Sequence, residues 1–94
     1  MSLQISILTP EKPFWNGQAE EIILPTETGE MGVLKNHAPI VSALGKGNVK
    51  INAKGLKIAK PFDRLFTKSG DNYILPINSG TIELNNNKII VLVD

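Results

Sequence analysis

A single imidazole makes up most of the obvious acid–base chemistry in this sequence. His37 is the only histidine in 94 residues, and there is no cysteine. A catalytic histidine needs a nucleophile or a carboxylate beside it. The nearest candidates along the chain are Ser42 and Glu30, and no G-x-S-x-G elbow frames the serine. Glu20-Glu21 is a carboxylate pair, but neighbours on a strand point to opposite faces and cannot share a proton. Gly45-Lys46-Gly47 has the residue types of a phosphate loop without the Walker spacing or a following helix. Without cysteine there is no thiolate, disulfide or cysteine-ligated metal, and one histidine alone does not build a zinc site. The residues therefore offer no catalytic centre, no metal site and no cofactor site, and they point to action by contact.

Positioning falls to strands, because the apolar period is two throughout. Leu3, Ile5 and Ile7 alternate with Gln4 and Ser6, as do Val49, Ile51 and Ala53 with Lys50 and Asn52. Phe14-Trp15 is followed by Asn16-Gly17, which reads as a hairpin turn, and residues 18–24 read as the next strand with Ile22 and Leu24 on one face. Turns are expected at 9–13, 25–29, 36–39, 45–47 and 85–87, the last because asparagine tolerates positive φ. In the segment Thr28-Gly29-Glu30-Met31-Gly32 the glycines mark special backbone geometry. Lys54-Gly55 is expected to turn the chain into Leu56-Lys57-Ile58 as a hairpin partner of residues 49–53. Residues 61–72 are the least regular, with Phe62, Leu65 and Phe66 placed for one helical turn. Ile89 to Val93 is a closing strand rich in β-branched residues. About ten short strands with turn chemistry between them predict one domain, 1–94, folded as an all-β antiparallel sandwich.

Charge narrows the partners. Ten bases and nine acids give a net charge of +1, unlike the strong positive charge of most nucleic-acid binders. The average conceals an uneven distribution. Residues 1–45 hold five acids and two bases, whereas residues 46–68 hold seven bases and one acid. No aromatic residue interleaves with the lysines from Lys46 to Lys60 to stack on bases. Lys50 and Lys57 are expected to point outward from a sheet edge, where lysines discourage edge-to-edge pairing. No apolar run approaches the ~20 residues of a membrane span.

The strings Leu8-Thr9-Pro10-Glu11, Phe14-Trp15-Asn16-Gly17 and Glu21 through Pro39 resemble the epsilon subunit of F-type ATP synthase, in its plastid-encoded green-algal form. The most specific piece is Gly29-Glu30-Met31-Gly32-Val33-Leu34-Lys35-Asn36-His37-Ala38-Pro39. The resemblance is close to about residue 47 and resumes at Asn86-Asn87-Lys88-Ile89-Ile90-Val91-Leu92-Val93. Between them it is weak: Asn78-Ser79-Gly80-Thr81 stands where the family has M-G-G-F, and residues 54–72 look rewritten.

The resemblance implies a ten-stranded sandwich at the foot of the central stalk, packed on the gamma subunit and on the polar loops of the membrane c-ring. It implies a non-catalytic rotor part that couples proton flow to ATP synthesis, on the stromal side of a plastid thylakoid membrane and membrane-associated only through the complex. Glu30 and His37 fall on the family's c-ring-facing loops, with Met31, Lys35 and Asn36 as secondary contacts. Most members continue into a regulatory two-helix hairpin, whereas this sequence ends at Asp94, directly after the closing strand. The competing reading is a stand-alone binding module that turns its basic 46–68 face to an acidic ligand. Neither reading involves nucleic acid.

Overall fold

The computed structural model describes residues 3–10, 13–53 and 66–94, with the backbone alone at Pro13 and Phe14. The described residues form ten strands: β1 (Leu3–Leu8), β2 (Pro13–Ala19), β3 (Glu21–Thr26), β4 (Gly29–Leu34), β5 (Ile40–Leu44), β6 (Gly47–Asn52), β7 (Thr67–Ser69), β8 (Asn72–Ile77), β9 (Gly80–Asn85) and β10 (Lys88–Val93). They make two five-stranded sheets, ordered β2-β1-β10-β9-β5 and β4-β3-β6-β8-β7. The two sheets form the expected sandwich, with one departure from the all-antiparallel expectation. β1 and β10 run parallel, Ile5 opposite Ile89 and Ile7 opposite Val91. No hairpin joins the first and last strands, so their direction is not set by a turn.

The period-two pattern places the core. Leu3, Ile5, Ile7, Ile82, Leu84, Ile89 and Val91 from one sheet face Ile22, Leu24, Val33, Val49 and Ile51 from the other, all essentially without solvent contact. Among the described residues no polar or charged side chain is buried. The energetic driving force is thus almost wholly apolar burial, with each large aliphatic side chain contributing about 1.5–3 kcal/mol.

Asn16-Gly17 is not a turn. Both residues lie inside β2, where Gly17 pairs with Ile5. The glycine serves the indole instead: a Cβ at position 17 would run into Cζ2 and Cη2 of Trp15. Trp15 in turn meets Phe66 edge-on, ring centroids 6.1 Å apart at 63°. The 18–24 strand is broken at Glu20, where the chain leaves one sheet for the other. Phe66 is buried, and β7 and the start of β8 lie within the region expected to be irregular. The 49–58 hairpin, Lys57, Phe62 and Leu65 fall partly or wholly outside the described residues. β6 itself pairs with β3 and β8, so Lys50 stands mid-sheet rather than on an edge. The asparagine turn forms as expected, with Asn86 at φ 51° and Asn87 at φ 61°.

Candidate functional site

The five residues expected to make contacts are arranged along and just beyond β4. Gly29, at φ 128°, closes the two-residue turn from β3, and Thr26 Oγ1 donates to its carbonyl at 2.5 Å. Glu30 follows at once, on the outer face of its sheet. Its carboxylate reaches across β3 to Lys50 Nζ at 3.0 Å. Both groups keep substantial exposure, so the pair contributes no more than about 1 kcal/mol. Met31 points the other way and packs, half-buried, against the core. Lys35, Asn36 and His37 sit past the far end of the strand. Four strand steps separate Glu30 from Leu34, roughly 14 Å. The structure therefore groups Lys35, Asn36 and His37 at one end of the sandwich, puts Glu30 near the other, and turns Met31 inward.

The loop that carries His37 is tightly held. Asn36 adopts φ 65°, and the His37 N–H donates to Leu34 O at 3.3 Å. Nδ1 of His37 lies 2.7 Å from Ala38 O, within its own loop. The imidazole is exposed. Ser42, the sequence-nearest nucleophile, bonds to Ala43 O instead. Glu20 lies in the bend between β2 and β3 and is exposed, while Glu21 opens β3 and is half-buried, so the two are not neighbours on one strand as expected. Gly47 opens a strand, not a helix, and packs against Pro25. Among the described residues no group of three or more His, Asp or Glu is placed to hold a metal.

A second surface emerges that the motif reading passed over. On the outer face of the β2-β1-β10-β9-β5 sheet, Val41 is 81% exposed, Leu92 48% and Ile90 39%. Register aligns Ser6, Ile90, Glu83 and Val41 in one row, and Leu8, Leu92, Thr81 and Ala43 in the next. Shallow grooves run on both sides of Glu83, one along Ile90 and Lys88, the other along Pro39 and Val41. A sequence signal existed for this face. Residues 89–93 are all apolar, and a strand with only one face on a core has no need of that.

Of the basic segment, the described lysines are partly engaged: Lys50 with Glu30, and Lys68 over the Tyr73 ring at 5.7 Å.

Residues 2–62 match the family model of the beta-sandwich domain of the ATP synthase delta/epsilon chain. The chain belongs to that family. Within it, the resemblance is to the chloroplast type of epsilon chain, a non-catalytic subunit. It is 80% identical over 54 residues to the chloroplastic epsilon chain of Tetradesmus obliquus, covering 57% of this chain and 40% of that one. The epsilon chain of Synechococcus sp. (strain JA-2-3B'a(2-13)) aligns over all 94 residues at 31% identity, covering 58% of its own length. The chain thus spans well under two thirds of these relatives. A chain in the structure of the central stalk and c-ring of Tetrahymena thermophila mitochondrial ATP synthase shares the fold. Its TM-score is 0.70 at 14% identity, over 99% of this chain and 63% of that one.

Proposed function

We propose that this sandwich is the docking part of a rotor subunit in a plastid ATP synthase, seated on gamma and on the c-ring at the stromal face of the thylakoid. The observation that carries this reading is the division of labour on the surface of a family member whose described core holds no polar side chain. One outer sheet face is apolar around Val41, Ile90 and Leu92, and the β4 end loops present Glu30, Lys35, Asn36 and His37. An exposed apolar patch with a polar rim suits a well-packed protein partner, and we assign it to gamma. The polar loops suit the polar loops of the c-ring, where several weak contacts add up to specificity. Glu30 and His37, being well separated, would touch different loops of a ring that repeats the same loop around its axis. Met31 supports the strand from inside.

The test uses the assembled complex with cysteine at position 30 or 37. Zero-length or short cross-links to the c subunit from both positions support the assignment. Cross-links from neither, in a complex that retains gamma, overturn the c-ring face. Failure of the chain to co-purify with gamma overturns the rotor reading as a whole.

A further inference from the structure

Three segments far apart in sequence converge on Asn87. Its backbone carbonyl accepts the Gln4 N–H at 2.8 Å, tying the turn before β10 to β1. Its side chain accepts the Asn36 N–H on Oδ1 at 2.6 Å, and its Nδ2 lies 3.4 Å from Asn36 Oδ1. A backbone N–H can only donate, so the short contact fixes Oδ1 toward the Asn36 N–H and turns Nδ2 toward the side-chain oxygen of Asn36. Both asparagines hold positive φ, 65° at Asn36 and 61° at Asn87. This conformation suits asparagine, and its short side chain reaches the facing turn from there. The result is a reciprocal amide clamp between the β9–β10 turn and the β4–β5 loop, across 51 residues of sequence.

We infer that Asn87 is a positioning residue for docking: its side chain holds the loop of Lys35, Asn36 and His37 in the shape that meets the partner, without touching the partner itself. The inference rests on the docking role proposed above. Among the described residues, His37 bonds to its neighbours Leu34 and Ala38, both within the same loop or its strand end. Holding the loop in advance removes an ordering cost from association, so the clamp acts on affinity.

The two variants that isolate the clamp are Asn87→Gly and Asn87→Asp. Glycine adopts φ near 60° freely and keeps the carbonyl that bonds Gln4, so it deletes the side chain while sparing the turn. Aspartate keeps an acceptor for the Asn36 N–H and also tolerates that φ. The expected result for Asn87→Gly is docking to the c-ring about 3- to 10-fold weaker, as for loss of one or two net hydrogen bonds. Exchange of the Asn36 amide hydrogen accelerates by a similar or larger factor, with a melting temperature lowered by no more than a few degrees. Asn87→Asp restores slow exchange and docking. If wild-type protein docks and Asn87→Gly docks equally well, or loses docking only in proportion to a lowered melting temperature, the clamp inference is overturned and the rotor reading stands. If wild-type protein does not dock, both are overturned.

Discussion

The outer faces of the two sheets share one core and differ in what they leave unfinished. On the β4-β3-β6-β8-β7 face, exposed and half-buried polar groups have found each other: Glu30 with Lys50, and Asn52 Nδ2 with Asn72 Oδ1 at 3.0 Å. On the β2-β1-β10-β9-β5 face, Val41, Ile90 and Leu92 stand in water around the carboxylate of Glu83. A face whose polar groups are mutually paired gains little from a partner, because association would exchange one set of hydrogen bonds for another. A face with apolar atoms in water gains about 25 cal/mol for each Å² it buries. Under the docking role proposed above, most of the binding energy is expected from this sheet, since the other face exposes only Leu34 among the large apolar side chains of the described residues, and the loops at the ends of β4 are expected to add orientation and selectivity.

Val41→Asp tests that asymmetry most severely. Position 41 is 81% exposed on the edge strand β5, so the substitution leaves the melting temperature within a few degrees. It places a second carboxylate beside Glu83 and an unpaired charge at the centre of the proposed gamma interface. We expect gamma affinity to fall by about 100-fold, near 3 kcal/mol. The measurement is a titration of gamma against wild-type and variant protein. Undiminished affinity would remove gamma from this face.

A change in the shared core should have the opposite signature. In Gly17→Ala the new methyl group meets the Trp15 indole, which is already held against Phe66. Overpacking of this kind costs about 1–3 kcal/mol, a melting temperature lower by roughly 10 °C in a domain of this size. Docking per folded molecule should not change. Calorimetry paired with the same gamma titration separates the two effects, and a loss of affinity without loss of stability would contradict the division between core and surface.

How much of this was legible depended on whether a residue type had one physical use or several. The strand period placed Leu3, Ile5, Ile7, Ile22, Leu24, Val49 and Ile51 in the core, because alternation has a single explanation once one face is buried. The Asn85–Asn87 turn was legible because asparagine is among the few side chains at ease with positive φ. Asn16-Gly17 misled, since glycine serves turns and close packing alike, and here the indole claimed it. The parallel β1–β10 pair was not legible, because local patterning carries no information on how distant strands run. For the candidate site, motif resemblance nominated Glu30 and His37 but not their separation, which follows from strand length. The resemblance also gave Met31 a contact role that the inward side of the pleat weakens. The apolar outer face was visible in the unbroken run Ile89–Val93, yet nothing local told which of its residues faced out until Ile89 and Val91 were seen paired into the core.

The smallest expected effect belongs to the paired face. Replacing Glu30 by Gln and Lys50 by Met, singly and together, measures the coupling across β3. With the two side chains 57% and 34% exposed, solvent screens the pair. The double-mutant cycle should give a coupling of about 0.5 kcal/mol in low salt, fading as ionic strength rises. Gamma affinity should follow neither substitution, since both side chains lie on the sheet face turned away from Val41. If docking on the c-ring needs a free Glu30 carboxylate, Lys50→Met has a second consequence that Glu30→Gln does not. Releasing the carboxylate from its internal partner should leave c-ring association equal or slightly stronger, while Glu30→Gln weakens it. A coupling well above 1 kcal/mol, or gamma affinity that tracks either residue, would show that the paired face is not finished and would redraw the contrast between the two sheets.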